Sequence, residues 1–313
     1  MSCKRMHFAG DIHLVTNRCF QERLFLLPNP KVNFIIGYWF TRALKKYGRG
    51  LKIYAFIFLS NHFHILLKDT MGNLARFMCY FEANVARAVN QILGRRGTFW
   101  QGHYDDQVVV GEANFWKKYN YITCNAVKAG LVHTAAEWIG WSSYDCALNG
   151  GRYSFTAINK NQCQKASRNR KNPPDPKRFE ETYEFSLTEP LGFEGKSIEE
   201  QAEYIRPLLE QQEVAFRDAR QNKPPLGVEQ IRRQNPLDRP QTTERKPKRR
   251  FSCDNEEELR ERMDGLRTFV GQYAEVYKQF RENLKVKKSF HNEWPLGSYP
   301  PGRWRPIGAA VGK

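Results

Sequence analysis

The sequence has no run of about 18 apolar residues, so we expect no segment that spans a membrane. Near the N-terminus, Lys4 and Arg5 are not followed by the apolar stretch of a secretory signal. The seven cysteines form no CxxC pair and are odd in number, which argues against a disulfide framework in a chain of 313 residues. Together these absences predict a cytoplasmic protein in a reducing compartment.

Acidic residues are scarce relative to basic ones. The chain has 50 Lys and Arg but only 33 Asp and Glu, which gives a formal net charge of +17. An excess of this size favours a polyanionic partner, most often nucleic acid, with an acidic membrane surface as the lesser option. Solubility alone rarely needs so large an imbalance. With 41% hydrophobic residues, the chain can also form a sizeable core.

The spacing of apolar residues in the first half of the chain predicts alternating strands and helices. The predicted strands cover residues 6–16, 52–59, 62–68 and 107–110, and the predicted helices cover residues 32–47, 74–93 and 112–129. Their order is typical of a ferredoxin-like α+β fold, with an antiparallel sheet and helices on one face. We therefore expect one α+β domain over residues 1–150.

The second half of the chain is more polar. Residues 151–190 are interpreted as a polar, basic linker, and residues 191–313 as a charged helical extension. Within the extension, helical spacing covers 197–220 and 254–288, and the Pro-, Gln- and Arg-rich stretch 221–252 is expected to be disordered. The basic run at 245–250 is better explained as part of a linker than as a phosphate-binding motif.

Two histidines stand two residues apart in the stretch NHFHILL. Because side chains alternate along a strand, His62 and His64 should share one face while Phe63 enters the opposite layer. Two imidazoles on one face can hold a divalent metal ion. An arbitrary pair of this kind is more often two half-buried histidines bonded to backbone or to each other.

The predicted helix over 112–129 carries a second candidate group. Lys117, Tyr121 and Asn125 are spaced four residues apart and share a face, with Lys118 beside it and Lys128 near it. A tyrosine flanked by lysines suits a nucleophile in a phosphate site, and the amide oxygen can bind a metal. The alternative is an amphipathic helix whose tyrosine packs on the sheet while its lysines face solvent.

A glycine-punctuated loop, GRRGTFWQGHY, lies between the second helix and the last strand. Its arginines suit phosphate contacts, and its aromatic rings suit stacking on unpaired bases. The alternative is a surface loop that Phe99 and Trp100 hold against the core. The candidate DNA-binding residues of the chain are Arg95, Arg96, Trp100, His103, Tyr104, Lys117, Lys118 and Lys128.

Four segments in this order, NHFHILL, GRRGTFWQGHY, NYITCNAVKAGLV and WSSY, resemble the REP-associated tyrosine transposases. These are single-tyrosine HUH transposases of the IS200-like transposase family. The resemblance covers roughly residues 5–148. It implies a ferredoxin-like HUH domain in a bacterial, nucleoid-associated protein, acting on single-stranded or hairpin DNA, with a homodimer as one option.

By resemblance, His62, His64 and Asn125 are the ligands of a divalent metal, Mg²⁺ or Mn²⁺, and Tyr121 is the nucleophile. Tyr119 lies off the Asn125 face and is the lesser candidate. The implied reaction is metal-dependent nicking of single-stranded DNA, which forms a 5′-phosphotyrosine link and a free 3′-OH. A second 3′-OH can attack the phosphotyrosine link, which reverses the step and joins two strands without ATP.

The sequence departs from the pattern of the family at Ser60 and Ala126, where proline is common, and at His103, which replaces a frequent arginine. His103 is therefore an alternative neighbour of the metal. Three other functions remain open: a hairpin-binding protein that does not cleave, a nuclease in which water attacks, and an RNA-binding protein.

Overall fold

A computed structural model describes residues 10–168, 173–240, 250–285 and 293–295. Within these residues the strands are β1 (Ile12–Arg18), β2 (Leu51–Phe58), β3 (His62–Asp69), β4 (Asp105–Val109), β5 (Tyr153–Ile158), β6 (Glu180–Phe185) and β7 (Phe251–Ser252). The helices are α1 (Pro30–Tyr47), α2 (Leu74–Ile92), α3 (Glu112–Thr123), α4 (Asn125–Lys128), α5 (Tyr144–Asn149), α6 (Lys160–Ser167), α7 (Ile198–Ala219), α8 (Val228–Arg233) and α9 (Glu256–Lys285). The chain is thus mixed α/β, as predicted, with residues 6–9 of the predicted first strand outside the described residues.

The main sheet has five strands in the order β2-β3-β1-β4-β7. The pairs among β1 to β4 are antiparallel, and β7 joins β4 in parallel. The prediction of a purely antiparallel sheet is therefore wrong at this edge. The physical reason is the long connection between β4 and β7, since a parallel neighbour cannot be reached through a tight hairpin.

Helices α1 and α2 cover one face of the sheet. Asn29 starts α1 by accepting a hydrogen bond from the Val32 backbone N–H at 3.0 Å, and Pro30 occupies the first turn. Phe40 of α1 packs edge-on against Phe77 of α2 with ring centroids 5.2 Å apart. This pair fixes the two helices to each other, and Phe40 also packs on Phe56 of β2 with ring centroids 5.6 Å apart, which fixes α1 to the sheet.

Helices α3, α4 and α7 pack on the opposite face, so the prediction of helices on one face only is wrong. The reason is visible on β2 and β3, where Tyr54, Ile57 and Leu66 point away from the α1–α2 layer and are buried. Apolar side chains on both faces of a sheet need cover on both sides.

The residues interpreted as a linker, 151–190, instead contain a two-stranded antiparallel sheet with α6 in the connection between its strands. β5 and β6 pair antiparallel from Tyr153↔Phe185 to Ile158↔Glu180. Phe155 lies directly over Gly37 of α1, where an added Cβ would be 1.9 Å from the Phe155 Cζ. The polar outward residues of β5 and β6 hide this half-buried alternation in the sequence. The domain limits at 150 and 190 stay predictions.

The extension is more ordered than the sequence suggests. α8 and β7 both fall within the stretch 221–252 that was predicted to be disordered, of which 241–249 lies outside the described residues. α9 agrees with the predicted helix 254–288 as far as residue 285, where the described part of the helix ends. Arg262 of α9 pairs with Asp11 at 2.9 Å, which ties α9 to the start of β1.

Among the helices that the structure describes, none combines the length and the apolar character that crossing a membrane would need.

Candidate active site

The two histidines lie on β3 and point to the face covered by α3. In the antiparallel register of β1 and β3, His62 is opposite Arg18 and His64 is opposite Thr16. Phe63 is buried in the other layer, with α1 and α2. The imidazole rings have centroids 5.1 Å apart. The predicted alternation of faces along this strand is therefore confirmed.

Hydrogen bonds at Nδ1 orient both rings. His62 Nδ1 is 2.6 Å from the Asn61 Oδ1, an acceptor, so Nδ1–H donates and Nε2 keeps its lone pair. His64 Nδ1 is 2.7 Å from the Thr16 hydroxyl. The Nε2 atom of His64 is buried without a hydrogen-bond partner among the described residues. A polar atom left in this state is what a bound ligand would satisfy.

Both imidazoles are neutral at pH 7. His62 keeps part of its surface accessible, yet the protein packed around it, and then the charges of Arg18 and Lys128, lower its pKa to about 3. Burial also holds the pKa of His64 well below its usual range, with His62 and the cations Arg18, Lys128 and Lys118 adding to the effect. Neutral imidazole is the form that coordinates metals.

Tyr121 lies beside this pair. Its ring centroid is 5.5 Å from that of His64, and the Lys128 Nζ is 4.2 Å from the centre of the Tyr121 ring. Tyr121 is half-buried, so its hydroxyl can face a substrate. Tyr119, by contrast, is fully buried in the core, and burial raises its pKa. Of the two tyrosines, Tyr121 is therefore the one in contact with the histidine site.

The single helix predicted over 112–129 is wrong, because the chain breaks at Cys124 between α3 and α4. The Cys124 carbonyl accepts hydrogen bonds from the backbone of both Val127 and Lys128 at 3.1 Å, which starts a separate short turn. Cys124 itself is fixed in the core by a hydrogen bond from its Sγ to the Leu209 carbonyl of α7. Packing against α7 thus decides where α3 ends.

Asn125, the predicted third ligand, is buried at the start of α4. Its Nδ2 has no hydrogen-bond partner among the described residues, as for the His64 Nε2. Rotation of the amide can place either its oxygen or its nitrogen at that position. The described part of the chain has no group of three or more His, Cys, Asp and Glu side chains suited to a metal. The set predicted from the sequence, two imidazoles and one amide, would hold an ion only weakly.

The three lysines differ in their surroundings. Lys117 is exposed and pairs with Asp254 at 2.6 Å, just before α9. Lys118 is the lysine of α3 whose charge reaches His64, and Lys128 stands over Tyr121. The structure therefore brings Lys118 and Lys128 to the histidines and directs Lys117 toward the extension.

Two of the predicted DNA-binding residues hold the loop 94–104 in place. The Arg95 guanidinium lies 3.6 Å from the centre of the Phe25 ring and donates to the Asn90 Oδ1 at 2.6 Å. The Trp100 indole N–H donates to the Glu82 carbonyl at 3.0 Å. Trp100 therefore packs against the core, as the alternative interpretation of this loop predicts.

The other three predicted DNA-binding residues of this loop differ in exposure. Arg96 and His103 are exposed, whereas Tyr104 is buried. The loop borders the histidine site because the Gln101 backbone N–H donates to the Arg18 carbonyl at 2.8 Å. The exposed residues Arg96 and His103 therefore belong to a loop that borders the histidine site.

Thr16 and Arg18 are residues of the site that the sequence did not reveal. They stand two residues apart on β1 and share a face, which is the only signal they leave in the sequence. Their position opposite His64 and His62 depends on the register of β1 and β3, which the sequence leaves open.

No family model matches the sequence, and no curated protein matches it either. Among solved structures, a REP-associated tyrosine transposase bound to a REP hairpin is 14% identical with a TM-score of 0.39, over 47% of this chain and 84% of that chain. A protein from Deinococcus radiodurans R1, provisionally described as a transposase, is 16% identical with a TM-score of 0.28, over 39% of this chain and 95% of that chain. At these values, neither similarity establishes a family or a function.

Proposed function

We propose that this chain is a metal-dependent enzyme that nicks and joins single-stranded DNA through a covalent link to Tyr121. The observation that carries the proposal is the contact of Tyr121 with His64, whose ring centroids are 5.5 Å apart. The two come from elements far apart in sequence, and the sequence predicts the same pair of groups independently of the fold. The net charge of +17 suits a polyanionic substrate.

His62, His64 and Asn125 would hold a divalent ion, Mg²⁺ or Mn²⁺, which would polarise the scissile phosphate when bound. In the proposed reaction the Tyr121 oxygen attacks phosphorus and loses its proton. The bond from phosphorus to the 3′ oxygen breaks, and that oxygen leaves as a 3′-OH with a proton. Lys128, 4.2 Å from the Tyr121 ring centre, favours the negative charge that forms on the phenol oxygen.

The strand order supports the ferredoxin-like part of the proposal. The chain runs β1-α1-β2-β3-α2-β4, and its strands lie in the order β2-β3-β1-β4 before β7 is added. A split β-α-β domain, as proposed, requires this order of elements and strands. Three further parts of the proposal depend on the sequence resemblance. They are that the substrate is hairpin DNA, that the protein forms a homodimer, and that it lies in the bacterial cytoplasm near the nucleoid.

The test is a covalent adduct on labelled single-stranded and hairpin oligonucleotides, seen as a shifted band on denaturing gels. We expect an adduct with Mg²⁺ or Mn²⁺ in the wild type, loss of the adduct in Tyr121→Phe, and its retention in the exposed control Tyr204→Phe. Persistence of the adduct in Tyr121→Phe would refute the assignment. Binding without an adduct would indicate a non-cleaving hairpin-binding protein, and cleavage without a protein link would indicate attack by water.

A further inference from the structure

Arg18 is a cation of the site, and it has no role in the reaction proposed above. It is opposite His62 across the β1–β3 pair, so both side chains project from the same face of the sheet. Its side chain is exposed and has no ion-pair partner among the described residues. An arginine held at the rim of a site in this way is available to an anionic ligand.

Positive charge surrounds the histidines on more than one side. Arg18 approaches from β1, while Lys128 stands over Tyr121, which in turn contacts His64. Across the sheet, His64 of β3 is opposite Thr16 of β1, and Thr16 is opposite Asp105 of β4. This carboxylate is therefore two strands away from His64. Cations therefore outnumber carboxylates around the two imidazoles.

This balance has a consequence for metal binding. Two neutral imidazoles and an amide bring no negative charge to a divalent ion, whereas nearby cations repel it. A phosphate that enters between the ion and Arg18 would cancel that repulsion and receive hydrogen bonds from the guanidinium. The free energy of binding of each ligand then depends on the presence of the other, and the coupling is reciprocal.

We propose that Arg18 and Lys128 form an anion site beside the histidine pair, so that a divalent cation and a nucleic-acid phosphate bind together, each raising the affinity of the other. The inference rests on the proposed function, because it takes His62 and His64 as metal ligands. Arg18 is assigned the larger share, since Lys128 is also engaged with the Tyr121 ring.

The experiment uses the full chain carrying Tyr121→Phe, so that no covalent product forms. The Kd for a fluorescein-labelled single-stranded oligonucleotide is measured by anisotropy at constant ionic strength, with and without Mn²⁺. We expect Mn²⁺ to lower the Kd about tenfold, within the usual range of coupling between two ligands. Adding Arg18→Gln should reduce this effect to about twofold or less, and Arg18→Lys should restore part of it.

Two matched variants complete the design. His62→Ala with His64→Ala should abolish the Mn²⁺ effect, while Arg76→Gln, an exposed arginine on the α2 side of the sheet, should leave it unchanged. Folding of each variant is checked by circular dichroism. An equal Kd with and without Mn²⁺ in folded Tyr121→Phe, or equal coupling in Arg18→Gln and Arg76→Gln, would overturn the inference. The adduct assay decides the proposed function separately, because this titration does not involve the nucleophile.

Discussion

Thr16→Val tests how the structure orients the histidines. The Thr16 hydroxyl is 2.7 Å from the His64 Nδ1, and His64 is only 6% exposed, so water cannot readily replace the hydroxyl. Valine has nearly the same shape as threonine, and the change therefore leaves little cavity. What it removes is the hydrogen-bond partner of a buried nitrogen.

An unpaired buried polar group lowers the free energy of unfolding by about 1–3 kcal/mol. For the buried Nδ1 of His64 we take the middle of this range, about 2 kcal/mol. We expect the free energy of unfolding in urea to fall by about that amount. Without its partner the ring also loses its fixed orientation. Loss of such a hydrogen bond behind a metal ligand lowers affinity about 10–100-fold. A penalty of about 2 kcal/mol corresponds to roughly 30-fold, inside that range.

The assay is calorimetric titration of the full chain with Mn²⁺ in the presence of the oligonucleotide, together with urea denaturation. Thr41→Val is the control, because the Thr41 hydroxyl donates to the Gly37 carbonyl at 2.6 Å inside α1, on the other face of the sheet. We expect it to cost less than about 1 kcal/mol and to leave Mn²⁺ affinity unchanged. If Thr16→Val kept both stability and Mn²⁺ affinity at wild-type levels, the argument for the orienting role of Thr16 would fail.

Two further predictions concern how the second half of the chain packs on the first. Gly37→Ala should destabilise the chain by about 1–3 kcal/mol in urea despite the better helix propensity of alanine, because its Cβ would meet Phe155. The same change should cost less in a Phe155→Ala background, and equal costs in both backgrounds would contradict the proposed clash. Arg250→Ala removes a 2.6 Å ion pair with Asp106, whose side chain is 1% exposed, and should cost about 3 kcal/mol. Hydrogen exchange should then rise along β4 and β7, and unchanged protection there would refute the role of this pair.

Much of the fold follows from local patterns in the sequence. The alternation around Phe63 determines which side of β3 carries the histidines, and the Asn29-Pro30 pair marks the start of α1. Both signals are local, since they depend on the pleat of one strand and on the backbone donors of one helical turn. The two-stranded sheet of β5 and β6 escaped prediction because its apolar residues are few and face α1, a partner distant in sequence.

The candidate site shows the same division. The sequence alone determined His62, His64 and Tyr121 as candidates, because their residue types and spacing are properties of single segments. Only the tertiary structure decided that Tyr121 contacts His64, that α3 ends at Cys124 and that Arg18 and Thr16 face the histidines. The physical reason is that strand register and helix packing are fixed by contacts between distant segments, and a shift of one residue would turn Arg18 and Thr16 to the opposite face of the sheet.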